Sequence, residues 1–480
     1  MKNFIFIALA FTCVNAFSQV RVVQGDNSLD LMQNKRAVFT SFSNADADYF
    51  VLCHTERFLK VNTLVATDKN GTVTIVKNIM PKMSMFTSFD IKNLLVVGKT
   101  PVLFVQTRDK KTGKNTLTAS GIDNAGNLDA TGIPVASFDF TKMGNAGDWY
   151  TALTPDKHHV AVLFKAPHEK DVADHFKYFI EDENMKEVSK GEFTFAGGTK
   201  EIYVDDFLAS DKGDLYLLSH DSEQDYQFPI LYKYAAGQAS IIPVTIADQA
   251  VKSLNYIFKV NPAGDLIIAG YTQKKAGFTV GDIKATGSWL FNSSKPNEVK
   301  TFSFDKPVTN LTARNIVFNG DTFYLVGEAY KADKQQSNAT GFARMNAEPE
   351  FVYNHNDIMV TGYSNDGNKK FDIPISRSMT TRNNDNQLMI ASGVVNGKLA
   401  LVYNEQYNKY INDPIRRGEK LPLAVSITND GLMEAPVLFD KDLDIRVSSY
   451  ILTPEYFSEN NGKLVLLNIN SQSVKTATFR

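Results

Sequence analysis

This 480-residue sequence predicts an all-β fold of repeated four-stranded units, and three observations carry that expectation. First, a glycine turn followed by a continuous apolar run keeps returning. It reads Gly213-Asp214-Leu215-Tyr216-Leu217-Leu218, Gly264-Asp265-Leu266-Ile267-Ile268 and Gly320-Asp321-Thr322-Phe323-Tyr324-Leu325-Val326. It recurs as Gly397-Lys398-Leu399-Ala400-Leu401-Val402 and Gly462-Lys463-Leu464-Val465-Leu466-Leu467. Second, the copies lie ~50–70 residues apart, a period of stacked supersecondary units. Third, the runs are apolar at successive positions, so each strand has both faces buried. Together these imply a β-propeller.

Two families of turns run through the chain in step. The first falls at Asp46-Ala47-Asp48, Gly98-Lys99, Pro155-Asp156 and Lys212-Gly213, then at Ala263-Gly264, Asn319-Gly320, Asn396-Gly397 and Asn461-Gly462. The second falls at Asp68-Lys69-Asn70-Gly71, Asp123-Asn124-Ala125-Gly126, Glu183-Asn184 and Ala236-Gly237. It continues at Pro296-Asn297, Asn365-Asp366-Gly367 and Asp430-Gly431. Tight hairpins need positive φ at their central residues, which Asn and Gly supply. Strands one and two of a unit flank the first turn, and strands three and four flank the second.

The last unit lacks its second turn, because Val474 to Phe479 is already the end of the chain. Val20-Arg21-Val22-Val23 is expected to supply the missing strand and so remove a free sheet edge. The count is eight blades, or seven if one weakly marked early unit is not a blade. The alternative for the last unit, a small β-sandwich sorting tag, fits less well because that unit keeps the repeat phase.

The first residues read as an export address. Lys2 precedes an apolar stretch from Phe4 to Val14, too short to span a bilayer, and Ala16-Phe17-Ser18 places cleavage before Gln19. The expected organisation is a signal peptide over 1–18 and one domain over 19–480. Cys13 as a lipidation site is disfavoured by the bulky Ala10-Phe11-Thr12 before it. No later stretch is long and apolar enough to cross a membrane, so a periplasmic or secreted location is expected. The mature chain keeps only Cys53, within the apolar Tyr49-Phe50-Val51-Leu52, where a buried, inert thiol is the expected reading.

Charges are mixed, with a formal net charge of −2, and no basic stripe suggests nucleic acid. No Gly-x-Ser-x-Gly elbow, phosphate-binding glycine loop or His-Glu-x-x-His helix is present, which lowers the expectation of an enzyme. No cofactor is expected.

Tight turns on one rim leave the longer connections to the other, where binding residues collect. The connection from Tyr403 to Pro422 carries Tyr403, Tyr407, Tyr410, Arg416 and Arg417, and Arg377 and Arg382 precede the same unit. Tyrosines give contact area at low entropic cost, and arginines grip carboxylates or sulfates. His220 and Tyr226 lie in the connection from Ser219 to Phe228. Packing over the channel mouth is the competing explanation for these side chains. No metal is expected; the nearest approach to a ligand set is His168, Asp171 and His175 with Asp174, which requires Asp171 and His175 to share a helical turn.

The chain resembles the uncharacterised secreted β-propeller proteins of bacteria. The resemblance rests on the Asn-Gly-Lys-Leu cassettes at Asn396 and Asn461, and on Asp357-Ile358-Met359-Val360 leading into Asn365-Asp366-Gly367. The marks of WD repeats and of sialidase-type rings are missing, and no functional residue carries over. The expected function is an exported, non-catalytic module that binds a protein segment or a glycan on its long-connection rim. The alternatives are a hydrolase or lyase with a dispersed polar site, and a structural envelope protein.

Overall fold

A computed structural model describes residues 23–24, 29–30, 36–43, 47–56, 59–68, 73–79, 87–129, 131–195, 200–221, 230–235, 242–243, 256–274, 283–295, 298–335, 350–382, 390–406, 420–438, 458–460, 463–469 and 473–479. The expected signal peptide lies outside them. Every regular element among the described residues is a strand, and all pairings are antiparallel within small sheets.

Near the N-terminus, β1 (Val23–Gln24) and β2 (Leu29–Asp30) both pair with the last strand of the chain. The sheets then follow one another in sequence. β3 (Arg36–Ser43), β4 (Ala47–Glu56), β5 (Leu59–Asp68) and β6 (Val73–Ile79) form one. β7 (Thr87–Val97), β8 (Thr100–Asp109), β9 (Lys114–Gly121) and β10 (Ile133–Asp139) form the next. β11 (Asp148–Leu153), β12 (His159–Lys165), β13 (His175–Asp182) and β14 (Glu187–Thr194) repeat the order. So do β15 (Ile202–Ala209), β16 (Leu215–Asp221), β17 (Ile230–Tyr234) and β18 (Ile242–Pro243). β19 (Tyr256–Val260), β20 (Leu266–Lys274), β21 (Lys284–Asn292) and β22 (Val299–Thr309) come next.

β23 (Leu311–Asn319), β24 (Thr322–Gln335), β25 (Glu350–Ser364) and β26 (Lys369–Ile375) form a sheet to which β27 (Met379–Arg382) adds beside β25. β28 (Ala391–Val395), β29 (Lys398–Gln406), β30 (Lys420–Ile427) and β31 (Val437–Leu438) form another. The last sheet holds β32 (Ser458–Asn460), β33 (Lys463–Ile469) and β34 (Ser473–Phe479), with Val23 opposite Thr478 and Leu29 opposite Val474.

The apolar cassettes are the second strands of these sheets, and burial explains their composition. In β12 every residue from Val160 to Lys165 is buried, whereas β14, a fourth strand, is largely exposed. The cores lie between consecutive sheets. Phe176 and Tyr178 of β13 pack with Phe207 of β15 and Leu217 of β16. Likewise Tyr324 and Val326 of β24 pack with Leu399 and Leu401 of β29. A strand sandwiched between two neighbouring sheets has no face left for polar residues.

At the tight turns, Val395 pairs with Lys398 across Asn396 (φ 50°) and Gly397 (φ 71°). Positive φ at both central residues gives the twist that matches paired strands. Turns of neighbouring sheets touch one another: Asp156 N–H donates to Asp211 Oδ1 at 2.9 Å, and Asn365 Nδ2 to Gly320 O at 3.1 Å within one sheet. The first and second turn families therefore share one rim.

Several first strands carry a bulge that the sequence reading did not anticipate. Pairing skips Lys92 in β7, Asp205 in β15 and Arg314 in β23. A bulge turns one side chain out of the alternation and re-aims it. Lys92 thereby reaches Asp148 in the next sheet's first strand.

Candidate functional site

Among the described residues β24 and β25 are the longest strands, and their extra length builds the site. β23 stops pairing with β24 at Ala329, while β24 continues to Gln335 opposite Glu350. β27 joins the far side of this extension, with His355 opposite Met379 and Val352 opposite Arg382. The result is a three-stranded arm at the end of the sheet away from the tight turns. A cleft of about 1010 Å³ lies between the arm, the end of β22 from Lys306 to Thr309 with Asn310 after it, and the segment Ser376–Ser378. A bulge between Glu328 and Tyr330 sets Asn356 and Asp357 against the single residue Ala329, and both bulge residues line the cleft.

Beneath the cleft is a buried charge cluster. Glu328 is fully buried on β24, and its two oxygens are used by three partners. Oε1 lies 2.6 Å from His355 Nδ1 and accepts from Arg377 Nη1 at 2.7 Å; Oε2 accepts from Arg314 Nε at 2.8 Å. Burial alone would raise the Glu328 pKa, but the His355 hydrogen bond and the two guanidinium groups outweigh it and hold the carboxyl below its ordinary value.

Arg377 is 2% exposed and lines the cleft floor. Burial draws its pKa down, opposed by Glu328 first and then by Glu405 and Tyr403. Its Nε donates to Asn404 O at 3.0 Å, and its guanidinium lies 5.8 Å from the Tyr403 ring centroid. Arg377 thus faces two buried carboxylates, Glu328 and Glu405.

Tyr330 closes the circuit. Arg314 lies over its ring at 4.9 Å, and the His355 ring meets it edge-on at 4.8 Å and 62°. Glu328 and Tyr330, two apart on a strand, share a face, so one residue pair holds both Arg314 and His355.

Of the residues singled out from sequence, Tyr403 and Arg377 are brought together, but in the interior. Tyr403 is 1% exposed within β29, packed in the core between two sheets, because the strand runs on to Gln406 where a loop was expected. Arg382 sits in β27, a strand inside the expected crossover, and His220 pairs with Tyr203 across β15 and β16. Tyr226, Tyr407, Tyr410, Arg416 and Arg417 lie outside the described residues.

The His168 group does not form the helical turn that metal ligation would require. Asp171 occupies a turn at φ 63°, His175 opens β13, and His168 Nδ1 instead bonds Asp174 Oδ1 at 2.8 Å. Asp174 also accepts from Ile202 N–H and lies 3.5 Å from Lys165 Nζ. This polar clamp ties one sheet's connection to the next sheet. Among the described residues no group of three His, Cys, Asp or Glu side chains is placed to hold a metal ion. No helix among them is long and apolar enough to cross a membrane.

Sequence reasoning missed Arg314, Glu328 and His355. Two signals were present. Glu328 ends an apolar run as Val326-Gly327-Glu328, a charge where both faces are buried. Arg314-Asn315-Ile316 matches Lys92-Asn93-Leu94 and Asp205-Asp206-Phe207 at the same place before the first turn.

No family model and no curated protein sequence matches the chain. Solved structures show distant similarity to β-propeller domains. The β-propeller domain of the Trilobed protease from Pyrococcus furiosus aligns at TM-score 0.39 and 9% identity, covering 84% of this chain and 96% of that one. The WD40 domain of SCAP from fission yeast aligns at 0.41 and 9%, covering 96% and 94%. A member of the DUF4221 family from Bacteroides vulgatus aligns at 0.32 and 10%, covering 85% and 98%. A prolyl endopeptidase aligns at 0.38 and 11% over 83% of this chain, which spans about half of it, 55%.

Proposed function

We propose that the chain is an exported, non-catalytic binding module, periplasmic or secreted, that holds a protein segment or a glycan on the rim away from the tight turns. The carrying observation is the cleft of about 1010 Å³ between the β24–β25–β27 arm and its neighbours. Concave sites with a few convergent polar groups are where ligands bind. The charged groups beneath it are already committed to one another, and Glu328 and His355 are fully buried, so they brace the cleft floor and meet no substrate.

The scaffold in this reading is a single eight-bladed ring over 19–480. Contacts between first strands support it, running from β3 to β7 and so on through β28 to β32, and from β32 back to β3. The pairing of β1 with β34 supports closure by a strand from each end.

A hydrolase or lyase is the second reading, and one observation favours it. Among the described residues His355 Nε2 is buried without a hydrogen-bond partner, while Nδ1 is held by a carboxylate.

Glycan and peptide arrays probed with the wild type and with Asn356→Trp test the binding reading. Asn356 is exposed on the cleft wall, so the indole should block the cleft, weaken capture by roughly tenfold or more and leave the melting temperature unchanged. Capture that Asn356→Trp leaves intact, or no capture at all, overturns it.

A further inference from the structure

We infer that the ligand of this cleft is an uncharged oligosaccharide, an inference that rests on the binding-module reading above. The walls contain ionic groups, and Lys331, Asp333, Asp372 and Arg377 among them are ion-paired in place. Lys331 Nζ lies 3.2 Å from Asp333 Oδ1, and Lys369 Nζ 2.6 Å from Asp372 Oδ2. Arg377 is held by Glu328, and its backbone N–H donates to Asp357 Oδ1 at 3.2 Å. Asp305 and Lys306 are chain neighbours of opposite sign. A charged ligand would have to break these pairs or be buried against groups of its own sign, and both cost free energy.

The groups that face the space without a charge are hydroxyls and amides. Thr309 ends β22, Asn356 stands at the β25 bulge, and Ser376 and Ser378 flank Arg377. All four are exposed and come from three separate segments, so they line more than one wall. Each can both donate and accept, as each hydroxyl of a sugar can. Carboxylates on the same walls, Asp333 and Asp357, add acceptors already fixed in position by Lys331 and by the Arg377 N–H. A binding wall dense in fixed donors and acceptors discriminates strongly against ligands that cannot satisfy it, because unmet groups lose their water without return. A peptide side chain would need an apolar anchor pocket. Of the apolar and aromatic lining residues, Pro307 and Pro374 are exposed, Phe304, Val308 and Met359 pack against the core between two sheets, Ala329 is buried, and the Tyr330 ring is engaged by Arg314 and His355.

The test is calorimetric titration of the full chain with cellohexaose, mannohexaose and chitohexaose. A galacturonate oligomer and a heparin oligosaccharide serve as charged probes, and a library of short peptides as the protein arm. Binding of an uncharged oligosaccharide that Asn356→Ala/Ser376→Ala/Ser378→Ala weakens roughly tenfold or more, at unchanged melting temperature, supports the inference. The same loss for a charged oligosaccharide or a peptide alone overturns the ligand class and leaves the binding module standing. Binding that the triple variant does not weaken overturns the site. No binding by any probe overturns both.

Discussion

Glu328 Oε1 and His355 Nδ1 meet at 2.6 Å across neighbouring strands, and neither residue is reached by solvent. The contact exists because a bulge shifts the register between β24 and β25, so that His355 opposes Tyr330 while Glu328 opposes Ile358. One carboxylate then gathers a histidine and two arginines from β23, β25 and the segment before β27. Its removal strands all three.

Glu328→Ala is expected to destabilise the protein by about 3–5 kcal/mol, because the buried Arg377 and the half-buried Arg314 lose their counter-charge. Urea denaturation should show a lower midpoint at an unchanged slope. Glu328→Gln is expected to lose part of this, and its deficit depends on pH. The folded pKa lies below the unfolded value, so the contribution is complete above ~4.3 and disappears as pH falls through the folded pKa. A deficit that does not shrink on acidification would exclude this origin.

Glu181 gives the opposite slope. It is 4% exposed on β13, and burial, with Glu187 and Asp182 adding to it, raises its pKa to about 7. Its contribution is present below ~4.3 and lost as pH rises through about 7. Glu181→Gln should therefore raise the melting temperature at pH ~8 and leave it near wild type at pH ~4.5. An equal shift at both pH values would show that the carboxylate is not strained by its surroundings.

Gly327 lets two sheets approach. A Cβ there would overlap the Tyr271 ring, which comes from β20 in the neighbouring sheet and is fully buried. Gly327→Ala should cost about 1–3 kcal/mol by overpacking. In the Tyr271→Ala background that penalty should shrink, and strict additivity in the double-mutant cycle would rule out the contact as its cause.

Tyr403 separates packing from binding. As an interior ring of β29, its replacement by alanine is expected to cost about 3–5 kcal/mol. Retention of wild-type stability by Tyr403→Ala would contradict its place in the core between two sheets.

Deletion of Ser473 to Arg480 removes β34, against which β1, β2 and β33 pair. For a ring closed through that strand, the single cooperative melting transition should be lost, since an opened array exposes a whole sheet edge. A truncated chain with an intact transition would contradict closure.

The repeat was legible in the sequence because its cause is local. Turn chemistry at Asn396-Gly397 and the buried-both-faces runs such as Leu399 to Val402 depend on neighbours along the chain and on the general need to bury apolar surface. They set the strand boundaries, the tight-turn rim and the small antiparallel sheets. The site was not legible in the same way. Arg377 read as a surface arginine and Tyr403 as a loop tyrosine, and both are interior, because the length of β24 and β25 and the bulge between them decide what the chain covers. Charge complementarity among Arg314, Glu328, His355 and Arg377 joins residues as far as 63 positions apart, and no periodic signal records a partner at that distance. The sequence by itself determined the repeating strand unit, since hydrophobic periodicity and turn propensity act over a few residues. Only the tertiary structure decided where the cleft lies and which charges brace it, since register and bulges act across strands.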